Sequence, residues 1–255
     1  MTEPSELPPP TPLPRGRPPA QRPTFGDLVL VGLAIFAIQY GLARLVVETI
    51  LPVIQAKDDW PLLVLLVVGF LSLASIAAIQ LLVLRRRNLG FENLGLRPFP
   101  PEWRRRTATV TLMSFALVIL IRLLMLGYMD EAPDNPQVRA LTFDQPSLLT
   151  LLLSFLVVSA IVPLFEELLF RGLLFGWLRL HLGTYMAAAI SALAFAAAHG
   201  MLFAIPAVFV LGVILALLYE RSGSLWPAII CHGGYNALML SLFYLSKAAG
   251  LELPA

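Results

Sequence analysis

The chain has 255 residues, 58% hydrophobic and 13% charged, with a net charge of +2 and a mean hydropathy of +0.80. Soluble domains carry about a quarter charged residues, and one soluble core of this size cannot hide so much apolar surface, so lipid is the implied solvent. The small, scattered positive charge excludes a nucleic-acid-binding face, and the single cysteine, Cys231, excludes a disulfide framework or a multi-cysteine zinc site.

Residues 1–24 hold nine prolines and no apolar run. That composition describes a disordered or polyproline tail, and no signal peptide is visible in it. The remainder, 25–255, reads as one transmembrane domain. Apolar stretches of roughly 20 residues cross the bilayer, and they must be helical because unpaired backbone amides are too costly in hydrocarbon. They fall near 26–53, 61–84, 107–129, 147–170, 184–203, 204–220 and 226–246. The expected fold is therefore an all-α polytopic transmembrane helical bundle of about seven spans, with six to eight as the range.

Charge sets the expected orientation. Arg15, Arg17 and Arg22 precede the first span, and Arg85, Arg86, Arg87, Arg97, Arg104, Arg105 and Arg106 lie between the second and third. The loop at Lys57, Asp58 and Asp59 is short and mixed, and 130–146 sets Asp130, Glu131, Asp134 and Asp144 against Arg139. The arginine-rich stretches, and with them the N-terminus, are expected in the cytoplasm. The protein is then a multi-pass integral membrane protein, of the plasma membrane in a bacterial host. Residues 88–106 read as an interfacial segment anchored by Trp103, its arginines drawn to anionic membrane lipid. Arg44 with Glu48, and Arg122, read as paired or snorkelling groups, and His181 as an interfacial side chain.

Charged groups inside a membrane helix are costly and usually face the bundle interior with a function. The run Pro163-Leu-Phe-Glu166-Glu167-Leu-Leu-Phe-Arg171 places Glu167 and Arg171 four apart on one face, as an ion pair, while Glu166 points about 100° away. One carboxylate is thereby anchored and the other is available as a general base. Phe195 and His199 share a face across three alanines that permit close helix approach. A hairpin turning at Gly183 brings Glu166 level with His199. His232 and Asn236 also share a face, behind Pro227 in a first turn and beside Gly233 and Gly234, which suit close backbone approach.

These three elements, Glu166-Glu167 with Arg171, Phe195 with His199, and His232 with Asn236, resemble the motif set of the CAAX prenyl protease and bacteriocin-processing family, the Abi family of intramembrane metalloproteases. The resemblance covers about 147–246. It implies an intramembrane endopeptidase acting on a membrane-associated peptide or lipidated-protein substrate, CAAX-type or bacteriocin-like. Two chemistries fit. Glu166 and His199 activate a water while His232 and Asn236 stabilise the oxyanion; or His199 and His232, with Glu166 or Glu167, hold Zn²⁺. A proton- or cation-coupled transporter and a silent membrane scaffold or immunity protein are the alternative readings.

Overall fold

The computed structural model describes residues 22–49, 60–128, 143 and 146–250. Seven helices and no strand stand among them. α1 opens as Phe25–Phe36 and passes through a π-helical segment, Ala37–Leu42, into Ala43–Thr49. α2 is Pro61–Arg87, α3 Glu102–Leu126, α4 Leu148–Leu182, α5 Thr184–Ala198, α6 Leu202–Ser222 and α7 Trp226–Ala248. The fold is the expected all-α polytopic bundle. Most of the proline tail, the Lys57–Asp59 loop and the acidic residues of 130–146 lie outside the described residues.

Among the described residues five helices, α2, α3, α4, α6 and α7, are long and apolar enough to cross a membrane, and the apolar run Phe25–Gly41 and α5 are shorter apolar helices. Left-handed glycines bound α5, Gly183 at φ +76° and Gly200 at φ +69°. Its 15 residues rise about 22 Å at 1.5 Å each, short of the roughly 30 Å of hydrocarbon. α4 runs past the apolar stretch that ends near residue 170, for 35 residues to Leu182, about 52 Å by the same rise, and turns at Gly183 as expected. The segment 173–182 is thus the end of a helix that outruns the bilayer, and α5 folds back along it. In the same way Trp103–Arg106 belong to α3, which starts at Glu102.

One end of the bundle gathers the arginines. Thr24 caps α1 by accepting from the Asp27 backbone N–H at 3.3 Å, and the Asp27 carboxylate accepts from the Thr24 N–H at 2.8 Å. That carboxylate, nearly inaccessible, also accepts from Arg87 Nε at 2.9 Å, which fastens the start of α1 to the end of α2. The linker that follows turns through left-handed Asn88 and Gly95 and docks on the α6–α7 turn. Tyr219 Oη donates to Leu94 O at 2.9 Å, Leu225 N to Gly95 O at 2.7 Å, Ser224 Oγ to Arg97 O at 2.6 Å, and Arg97 Nε to Gly223 O at 2.6 Å. Arg179, late in α4, meets Glu220, late in α6, at 2.8 Å. The side chains that reach the bundle surface elsewhere, such as Leu112, Met113, Leu120, Leu123 and Leu124 of α3, are large and apolar, as lipid-facing positions require. The expected Arg44–Glu48 pair forms on the exposed side of α1 at 2.6 Å.

Asp27 answers three donors, Thr24 N, Thr24 Oγ1 and Arg87 Nε. Asp27→Ala leaves them unmet and should lower stability by about 1–3 kcal/mol, read as a depressed unfolding midpoint in detergent. Asp27→Asn, which keeps an acceptor, should lose less.

Candidate active site

The site begins with a distortion in α4. Residues Val157–Ile161 form a π-helical segment in which Val162 N–H reaches back to Val157 O. The shift takes from Val158 O the amide it would hold in a regular helix. Pro163 has no N–H to give, so Ser159 O loses its partner as well. Both carbonyls meet α7. Asn236 Nδ2 donates to Val158 O at 2.9 Å, and Gly233 lies so close to Ser159 O that a Cβ there would collide with it. Gly233 is therefore fixed by close backbone approach, while its neighbour Gly234 packs on the Thr111 side chain of α3.

One to two turns further along α4 come the ionisable groups. Arg171 and Glu167 are fully buried and paired at 2.9 Å through Nη1 and Oε1. Arg171 Nη2 donates to Gly212 O of α6 at 3.1 Å, and its guanidinium lies over the Phe195 ring, 4.2 Å from the centroid. The same Glu167 oxygen meets His232 Nδ1 at 2.9 Å. The other imidazole nitrogen, Nε2, is 3.6 Å from Glu166 Oε2. Glu166 keeps 19% of its side-chain surface exposed where Glu167 keeps none, so the adjacent carboxylates occupy different environments.

His199 ends α5 and joins this group through Phe195. The buried phenyl ring meets the His199 ring edge-on at 4.8 Å and the His232 ring at 5.5 Å. His199 Nδ1 lies 2.8 Å from Phe195 O. A carbonyl only accepts, so this contact places a proton on Nδ1. The α4–α5 hairpin about Gly183 is what returns the chain to this depth.

The structure thus brings Glu166, Glu167, Arg171 and His232 into direct contact, sets Asn236 one turn from His232 against the α4 backbone, and links His199 through Phe195. His181 lies outside the group, exposed and stacked on Trp177 at 4.2 Å. Sequence reading missed Gly212, Val158 and Ser159. An isolated glycine in an apolar helix hints at close packing, and Gly212 has that role: a Cβ there would stand 2.8 Å from the Ala192 Cβ. Nothing in the sequence marks the two carbonyls except Pro163, four residues after Ser159. Among the described residues no group of three His, Cys, Asp or Glu side chains stands as a metal-holding set.

With this geometry in place, comparison with known families is specific. The family model described as type II CAAX prenyl endopeptidase, Rce1-like, matches residues 148–238. Over this segment the chain is similar to that family. The Rce1-like segment takes in α4, α5, α6 and the first half of α7, and so includes all six residues of the site. Comparison with curated proteins and with solved structures gave no match.

Two substitutions test how the Rce1-like segment is held. Asn236→Leu strands Val158 O and should cost about 1–3 kcal/mol. In a Pro163→Ala background, where a backbone N–H returns to the bulge, that cost should shrink, and a double-mutant cycle on unfolding midpoints measures the difference. Gly212→Ala overpacks the α5–α6 contact and should cost about 1–3 kcal/mol, visible as a lowered midpoint in detergent.

Proposed function

We propose that this protein is an intramembrane endopeptidase that cleaves a membrane-associated peptide, with Glu166 as the base that activates water. The observation that carries this reading is the division of labour between the two carboxylates. Glu167 is closed off and engaged by both Arg171 and His232, whereas Glu166 is partly open, and its 3.6 Å approach to His232 is longer than a hydrogen bond. Its oxygens are therefore available to a water.

The chemistry follows from the donors. Glu166, with His199 beside it, takes a proton from water, and the hydroxide adds to the scissile carbonyl. His232 is held at Nδ1 by Glu167, and the Asn236 amide hydrogen not used on Val158 is a donor to the developing oxyanion. Collapse of the tetrahedral intermediate breaks the C–N bond, and Glu166 returns its proton to the leaving amine. The role of Glu167 is to orient and charge-balance the imidazole, as the third group of a catalytic triad does.

Zinc held through Glu167 Oε1 fits poorly, because that oxygen already accepts from Arg171 and His232 and a cation there would sit against the buried guanidinium. The reading is a reaction run by side chains, and the chelator test below decides between it and zinc held by Glu166, His199 and His232.

The proposed substrate is a membrane-associated peptide of the prenylated CAAX type, a reading supported by the description of the matching family, with a bacteriocin-like peptide as the alternative. The arginine-rich end of the bundle is assigned to the cytoplasm, with the α4–α5 tip projecting on that side.

Cleavage of a fluorogenic CAAX-type peptide, prenylated and unprenylated, by protein in lipid nanodiscs tests the proposal. Glu166→Gln should lower the rate by about 10²–10⁴-fold without changing the unfolding midpoint. Wild-type cleavage should persist in excess chelator. Full activity of Glu166→Gln would remove Glu166 from the chemistry, and proton flux through liposomes that depends on Glu166 would point to transport.

A further inference from the structure

We propose that the arginine-rich end of the bundle contains a binding site for a phosphate-bearing anion, supplied most directly by the headgroup of an anionic phospholipid. A cavity of about 90 Å³ lies between the linker after α2 and the last turns of α4. Arg22, Arg97 and Arg179 line it, together with Glu92, Trp177 and Leu180. A second recess of about 450 Å³ shares Arg22, Arg179 and Leu180 and continues to Gly183 at the α4–α5 tip.

Three features select the ligand. Charge comes first. Three guanidiniums from three separate segments, Arg22, Arg97 and Arg179, line the cavity beside Glu92, and Arg179 is paired to Glu220. Arg179 holds Glu220 with Nη1 at 2.8 Å and is 11% exposed, and its Nε is buried with no hydrogen-bond partner among the described residues. A planar fork with an unused donor suits a phosphate oxygen. Depth comes second. The cavity sits beside the start of α1 and the last turns of α4, next to the Phe25–Trp177 ring pair at 5.6 Å, and paired aromatics of this kind suit the level of the headgroups. Shape comes third. The first cavity admits a phosphate group but no bulky solute, its wall includes Leu89, Leu94, Leu173 and Leu180, and basic pockets between membrane helices on the cytoplasmic side are suited to lipid headgroups. The site touches Gly172 and Gly176 of α4, the turns that follow Arg171.

Delipidated protein in neutral detergent, examined by native mass spectrometry with added dihexanoyl-phosphatidylglycerol, dihexanoyl-phosphatidylcholine or inorganic phosphate, tests the site. Phosphatidylglycerol should be retained saturably and phosphatidylcholine should not. Arg179→Gln and Arg22→Gln should each weaken retention by about fivefold to tenfold, and Arg44→Gln, on an exposed face of α1, should not. Arg22→Gln keeps the test open if Arg179→Gln loosens the Glu220 contact and lowers the unfolding midpoint. Competition by inorganic phosphate supports the site and assigns it to a free anion, whereas retention of phosphatidylglycerol without such competition supports it and assigns it to lipid. Equal retention of the two lipids, or phosphatidylglycerol binding unchanged in the Arg22→Gln and Arg179→Gln double variant, overturns the proposal.

Discussion

A single carboxylate oxygen, Glu167 Oε1, joins three helices' worth of polar groups inside an apolar bundle. It meets Arg171 on its own helix and His232 on α7, each at 2.9 Å, while Arg171 extends the link to a carbonyl of α6. A buried charge without a partner is strongly destabilising, and a buried pair is tolerated only when its hydrogen bonds are well made. The position of α7 against α4 is therefore constrained by electrostatics as well as by packing. The same constraint leaves Glu166, one residue earlier and turned away, as the carboxylate with access to its surroundings.

The shape of α4 follows from the same economy. A proline and a π-helical segment in a long membrane helix would strand backbone carbonyls in hydrocarbon, and such defects are tolerated where neighbouring helices satisfy them. Here α7 satisfies one carbonyl through the Asn236 amide and packs the bare Cα of Gly233 against the next. Asn236 thus has a structural duty that precedes any catalytic one. Beyond the site, α4 is long enough to leave the bilayer and return as α5, which carries Phe195 and His199 to the level of the carboxylates.

The N-terminal half is tied to the Rce1-like segment at the arginine-rich end. The linker after α2 exchanges four hydrogen bonds with the α6–α7 turn, and Leu94 packs where a side chain at Gly172 would otherwise stand. Arginines that read simply as lipid-attracted charge are thereby also structural. Arg87 closes the α1 cap and Arg97 holds the α6–α7 turn, and Arg179 braces α4 on α6.

Much of this was legible in the amino-acid order. Membrane solvent, helical spans, the arginine asymmetry, the Glu167–Arg171 spacing and the Gly183 turn all follow from composition or from near-neighbour periodicity, which depend on residues a few positions apart. The full length of α4 did not follow, because hydropathy registers apolar length and cannot tell where a helix ends once its sequence turns polar, nor that α5 folds back along α4. Nor could periodicity reveal that Glu167 is shared with His232, that Gly212 supplies a carbonyl to Arg171, or that Phe195 touches both imidazoles. Those contacts join residues far apart in the chain, and only the packing of α4, α5, α6 and α7 decides which faces meet.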